Sequence, residues 1–248
     1  MGGSGGRTAA DLRPGGWLRP HADLLGDVAK DRAAGRGLTV GVLALQGAFA
    51  EHATALRRLG ATVVEVRTPT HLADVDALAM PGGESTTMSK LLVTSGLFDP
   101  IAARITVGMP VLGTCAGMIL LADNVLDGRP DQRSFRAIRL AVRRNGYGRQ
   151  IDSFEADLDV QGLDSPFRAV FIRAPLVEQV GDGVEVLAHW NGHAVLCRQG
   201  EVMVAAFHPE LTADVRIHAL FLQHASASIN TQSIGAQKIS APTINGGN

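Results

Sequence analysis

The chain has 248 residues, 46% of them apolar, which is enough for one substantial core flanked by tails. Its 23 basic and 24 acidic residues leave a formal charge of −1, which excludes the basic footprint of a nucleic-acid or anionic-membrane binder and points to a small ligand. Only Cys115 and Cys197 carry thiols, no apolar run approaches the ~20 residues of a spanning helix, and the start lacks a signal-peptide core, so a soluble, cytoplasmic protein is expected.

Residues 1–37 are rich in Gly, Arg and Asp and read as a flexible extension or tag. A transit peptide is the other reading, but Asp11, Asp23, Asp27 and Asp31 count against it, because such peptides are poor in acids. Order is expected from Leu38, where LTVGVLAL has the continuous apolar texture of a strand buried on both faces. Phe49, Ala53, Leu56 and Leu59 then follow helical spacing up to a stop at Gly60.

Strands are predicted at Thr62 to Val66, at Asp76 to Met80 running into Pro81-Gly82-Gly83, and at Pro110 to Gly113, with a helix from Thr86 and another over Met118 to Ala122. Alternating strands and helices imply a three-layer α/β fold, a mostly parallel central sheet with helices on both faces. After Asp127 shorter β-like stretches follow, among them AVFIR from Ala169, VEVLA from Val184 and HAVLC from His193, with Trp190-Asn191-Gly192 as a hairpin turn. A strand from Val202 to Phe207 delivers His208-Pro209-Glu210, and a closing helix is read over Ala213 to Gln223. The domain is thus placed at 38–225, and the polar residues 226–248 read as a disordered tail.

Gly113-Thr114-Cys115-Ala116-Gly117 is a G-x-C-x-G at a strand-to-helix junction, the cysteine form of a nucleophile elbow. The flanking glycines remove side chains that would collide where strand and helix approach, and the thiol gains the field of a helix N-terminus, which favours thiolate. A buried structural cysteine in a glycine-flanked turn is the alternative for the motif by itself.

The second signal is His208-Pro209-Glu210. Proline holds the preceding residue extended, and residues two apart in extended chain face one side, so imidazole and carboxylate can share a target. The histidine then moves the thiol proton and the glutamate fixes its tautomer. Taken alone, the tripeptide reads rather as the first turn of a helix, and it is the cysteine elbow about a hundred residues earlier that favours the acid–base reading.

The third signal, Pro81-Gly82-Gly83-Glu84-Ser85-Thr86, lies between strand and helix, and the Gly83 and Ala116 amides together suit an oxyanion hole. A phosphate loop competes, but G-x-x-x-x-G-K-[ST] is missing and Glu84 repels anions. Cys197, in an alternating apolar stretch, reads as a packed, inert thiol, and His52 and His218 read as surface or structural residues.

Through GVLALQGAFAEH, PGGESTTM, GTCAGM, RRNGYGRQIDSFEADL, VFIRAP and AAFHPELT, from about Thr39 to Leu222, the chain resembles class I, triad-type glutamine amidotransferases. Within that flavodoxin-like class it resembles the glutaminase subunits of pyridoxal 5′-phosphate synthase. The resemblance implies hydrolysis of L-glutamine with Cys115 as nucleophile and His208 and Glu210 completing the triad. It also implies a substrate pocket of Gly83, Glu84, Ser85, Arg144, Ile172 and Arg173.

By the same resemblance a (β/α)₈-barrel synthase subunit receives the ammonia through an internal channel, and Gln46 to His52 meets that partner. No metal or cofactor of this chain is implied, since pyridoxal phosphate is the partner's product. Two alternatives are a glutaminase serving a different synthase and a non-catalytic docking module on the same fold.

Overall fold

The computed structural model describes residues 33–144, 146 and 153–239. Ordered chain begins before Leu38: the Gly35 amide donates to the Leu59 carbonyl at 2.9 Å, and Ala34 packs on the core. Most of the expected N-terminal extension, residues 1–32, lies outside the described residues.

The first half alternates strands and helices as β1 (Thr39–Leu43), α1 (Phe49–Arg58), β2 (Thr62–Val66), α2 (Pro69–Ala73), β3 (Ala77–Met80), α3 (Ser85–Thr94), α4 (Phe98–Thr106), β4 (Val111–Thr114) and α5 (Ala116–Leu121). Helix α1 carries Glu51 in its first turn and Arg57 and Arg58 in its last, which complements the helix dipole. Its inner stripe of His52, Ala53 and Leu56 is buried.

The second half adds β5 (Ala122–Val125), β6 (Ile138–Arg143), β7 (Ser153–Leu158), β8 (Phe167–Ile172), β9 (Leu176–Val180), β10 (Glu185–Trp190), β11 (His193–Gln199) and β12 (Val202–Ala205). A 3₁₀ turn at Pro209–Leu211 precedes the last helix, α6 (Arg216–Ile239).

The main sheet has seven strands in the order β10-β11-β12-β4-β3-β1-β2. Pairs from β12 through β2 are parallel, and β10 and β11 join antiparallel at one edge. Every residue of β3, β4 and β12 is buried, which requires cover on both faces. Helices α1 and α6 pack together, while α3 packs on α4 and α5. The expected α/β architecture is therefore present, and the hairpin turn sits where expected, with Asn191 and Gly192 both at positive φ.

Two small sheets, β5-β6-β9 and the hairpin β7-β8, build the remainder. The hairpin is fixed by aromatic stacking: Phe154 lies 4.5 Å from Phe171 and 4.3 Å from Trp190 of β10. Phe167 and Phe171 also contact Phe207, the residue before His208.

One expectation is corrected at the C-terminus. Helix α6 continues through the segment read as a tail and runs to Ile239, with Ala225 fully buried and Ile229 against the core. The alanines and the helix-compatible polar residues between them carry no breaker until Gly235, so the helix propagates from its packed first turns. Residues 240–248 lie outside the described residues.

Candidate active site

Strand register gathers the three sequence signals at one place. Met80 pairs with Gly113, and Ala205 pairs with Thr114, so β3, β4 and β12 end level at the carboxyl edge of the sheet. The chain continues from these three ends into Pro81-Gly82-Gly83, Cys115 and Ala206-Phe207-His208. Cys115 is central because β4 lies between the other two. Such an edge is where open α/β sheets place their ligands.

Cys115 adopts φ 49°, ψ −103° between β4 and α5, a conformation that costs about 1–3 kcal/mol for a residue with a side chain. Its amide donates to the Ala205 carbonyl at 2.8 Å, which ties the elbow to β12. The turn closes only with glycine on both sides. A Cβ on Gly113 would lie 2.8 Å from the Gly117 carbonyl, and one on Gly117 would lie 2.2 Å from the Met80 oxygen. Ala116 is the first residue of α5, so its amide belongs to the turn that has no intrahelical acceptor.

His208 Nδ1 lies 2.8 Å from Glu210 Oε1, and both residues are buried. The pairing forms differently from the strand alternation anticipated by sequence. His208 is held by a bond from its amide to the Val170 carbonyl of β8 at 2.8 Å, and Glu210 then rises alongside it from the 3₁₀ turn. The tripeptide therefore forms a short helical turn and an imidazole–carboxylate bond at once.

Gly82 fills the space between imidazole and thiol, since a Cβ there would lie 2.4 Å from His208 Cε1 and 3.3 Å from Cys115 Cβ. Burial opposes charge on both ionisable partners, but their mutual bonds prevail. Burial alone would depress the His208 pKa, yet the Cys115 sulfur and the Glu210 carboxylate raise it above that of free histidine. Burial alone would raise Glu210, yet its bond to His208 and the nearby His52 ring hold it well below the usual carboxylate range. Both shifts favour the charged imidazole–carboxylate pair beside Cys115.

The residues expected around the substrate fall into two groups. Gly83 is exposed on the loop next to Gly82, and the Ile172 carbonyl lies 3.9 Å from Cys115 Sγ. Arg173 follows at φ 42°, in the left-handed region, and is exposed. Of these three, Ile172 is the one in contact with the thiol, and Gly83 and Arg173 are the exposed chain neighbours of Gly82 and Ile172.

Glu84, Ser85 and Arg144 are engaged elsewhere. Glu84 caps α3: Oε1 accepts from the Thr86 amide at 3.0 Å and Oε2 from the Thr87 amide at 2.7 Å. Burial would raise its pKa, but the bonds from Thr87 and Thr86 outweigh it and lower it to about 2. Ser85 is buried in the first turn of α3. Arg144 donates to Thr86 Oγ1 at 2.9 Å and to the Asp127 carbonyl at 2.9 Å, so its guanidinium braces the same loop. Of Gly146-Tyr147-Gly148, which follow Arg144 in sequence, the described residues include Gly146 alone.

Of the surface and structural readings of His52 and His218, the structure has the second: both are fully buried behind Glu210. Their helical stripes carried the signal. His52 is three residues after Phe49 and four before Leu56, and His218 shares its face with Phe221, Leu222 and Ala225. Cys197, by contrast, is the packed thiol expected, and burial pushes its pKa up to about 12. No group of three or more His, Cys, Asp or Glu that could hold a metal occurs among the described residues, nor does any helix there long and apolar enough to cross a membrane.

A mostly parallel sheet with thiol, imidazole and carboxylate gathered at its carboxyl edge defines the class I glutamine amidotransferase fold. A solved glutamine amidotransferase that is 49% identical superposes with a TM-score of 0.72, covering 75% of this chain and 98% of its own. The structure of PurLQS from Thermotoga maritima, at 16% identity and a TM-score of 0.53 over 79% of this chain and 98% of that one, shares the fold alone.

Within that class the chain belongs to the SNO glutamine amidotransferase family, which its sequence matches over residues 42–227. It is 57% identical to the pyridoxal 5′-phosphate synthase subunit PdxT of Mycobacteroides abscessus over 183 residues, 74% of this chain and 95% of that one. It is 56% identical to the same subunit of Roseiflexus sp. over 187 residues, 75% of this chain and 99% of that one.

Proposed function

We propose that this chain is the glutaminase of a pyridoxal 5′-phosphate synthase, hydrolysing L-glutamine at Cys115 and passing the ammonia to a synthase partner. The observation that carries the chemistry is the alignment of Cys115, Gly82 and the His208–Glu210 pair at the ends of three adjacent strands. Identity above one half to synthase subunits, over nearly their whole length, supports the acceptor.

In the first half-reaction the Cys115 thiolate attacks the side-chain amide carbon of glutamine, and the carbonyl electrons move onto oxygen. The Ala116 and Gly83 amide N–H groups donate to this oxyanion. Collapse expels ammonia, which takes its proton from His208, and leaves a γ-glutamyl thioester on Cys115. In the second, His208 takes a proton from water, the hydroxyl adds to the thioester, and glutamate leaves as Cys115 thiolate is restored. Glu210 keeps the imidazole in one tautomer and stabilises its cation throughout.

Ile172 and Arg173 line the approach to the thiol, while Glu84, Ser85 and Arg144 act on the substrate indirectly by fixing the loop that presents Gly83. The face of α1 bearing exposed Glu51 meets the barrel-shaped synthase subunit. The compartment consistent with this role is the cytoplasm.

Glutamate release from L-glutamine, measured with and without the synthase subunit, tests the assignment. Release that rises with that subunit and is lost in Cys115→Ala is the expected result. Release indifferent to the subunit would move the acceptor to another synthase.

A further inference from the structure

Behind the catalytic carboxylate lies a second pair of titratable groups that the hydrolytic steps above leave unused. His52 on α1 and His218 on α6 are both fully buried, with His52 Nδ1 2.9 Å from His218 Nε2. His52 Nε2 faces two oxygens, Thr114 Oγ1 at 3.1 Å and Glu210 Oε2 at 3.2 Å. Glu210 Oε2 is buried and makes no hydrogen bond of regular geometry in the structure, His52 Nε2 at 3.2 Å being the group that faces it, while Oε1 is taken by His208. Two imidazoles carried into a dry interior cost free energy unless their nitrogens find partners, and here one of them is aimed at the back of the catalytic acid.

Proton accounting fixes the arrangement. An ionised carboxylate only accepts, so His52 Nε2 serves Glu210 only when it carries the hydrogen, with the Thr114 hydroxyl as a second acceptor beside it. With His52 neutral, its Nδ1 is a bare lone pair, and His218 Nε2 donates to it. His218 Nδ1 is then also bare, and that atom is the one without a partner in the structure. A doubly protonated His52 would instead oblige His218 to bury an orphan N–H. Burial lowers the His218 pKa to about 3, in keeping with its neutral form.

We propose that His52 is a positioning residue of the hydrolytic site, donating from Nε2 to the second oxygen of Glu210 while His218 fixes its tautomer. The inference rests on the triad assigned above. Its consequence is that Glu210 is gripped at both oxygens, by His208 from its own segment and by His52 from α1. The groups facing this network are Thr114 from β4, His218 from α6 and, across His208, Cys115 at the elbow. Without the grip the carboxylate can rotate away from His208, and the imidazolium that supports the thiolate loses its counter-charge.

The test uses the full chain with its synthase partner and compares His52→Leu, His52→Gln and His52→Asn. A Gln amide nitrogen reaches the place of Nε2, whereas an Asn amide reaches only that of Nδ1. Two readouts are taken: kcat and KM for glutamine, and the pH dependence of Cys115 alkylation by iodoacetamide. A misplaced catalytic group costs on the order of 10²-fold, so kcat is expected to fall by that much in Leu and Asn with KM within about twofold, and to recover at least tenfold in Gln. The alkylation profile should shift to higher pH in Leu and Asn and return in Gln.

Equal kcat and equal profiles in Gln and Asn, whether both impaired or both intact, would overturn the proposal. The alkylation readout needs no turnover. An inactive wild type would therefore overturn the glutaminase reading, while the profiles would still decide the role of His52.

Discussion

Gly82 shows how narrowly the site is drawn at the scale of a single residue. The missing side chain is what lets His208 and Cys115 approach, and a methyl group there would sit 2.4 Å from Cε1 of the imidazole. The ring must shift by roughly 1 Å to reach ordinary contact, a displacement that in active sites costs about 10²-fold in rate. Gly82→Ala is therefore expected to lower kcat/KM for glutamine about 100-fold while circular dichroism reports a folded protein. Wild-type kinetics in this variant would mean that His208 works from another position. Glu84 illustrates the opposite case, a residue in a conspicuous motif whose carboxylate is occupied in capping α3.

At the scale of elements, the sequence was most legible where one short segment decides its own state. β1, β3, β4 and β12 read correctly because continuous apolar runs end at Gly or at the residues that carry chemistry, and a strand buried on both faces has that texture whatever its neighbours are. The three signals could be found separately, but their meeting depends on β4 lying between β3 and β12, an order that no local pattern encodes. The small sheets were only partly legible. β6 pairs with β9 across more than thirty intervening residues, and such strands are specified by cross-strand packing more than by propensity. The length of α6 was underestimated because a polar composition was taken for disorder, although its first turns are anchored by Ile217, Phe221 and Leu222. For His52 and His218 the sequence left surface and structural places open, and their meeting behind Glu210 depends on α1 packing against α6, which no single helical stripe encodes.

The molecule as a whole packs a long-range network onto its catalytic edge, and this couples stability to pH. His218 takes a proton at about 6.5 when unfolded but, in the folded core, only near pH 3. Between those values the unfolded state binds more protons, so this residue's contribution is complete above pH 6.5 and is lost as pH falls toward 3. The limiting slope is about 1.4 kcal/mol per pH unit. Urea unfolding of His218→Leu at pH 4.5 and 6.5 should show a pH dependence flatter by close to one proton, and an unchanged slope would place the acid-labile group elsewhere. The central claim concerns the thiol on which all these elements converge. It is tested most directly by exposing the protein to a glutamine analogue with an electrophile at the side-chain amide position and mapping the adduct by mass spectrometry. One adduct per chain is predicted, on Cys115 and not on Cys197, prevented by L-glutamine and absent from Cys115→Ala; labelling of Cys197, or labelling of Cys115 that L-glutamine does not prevent, would contradict it.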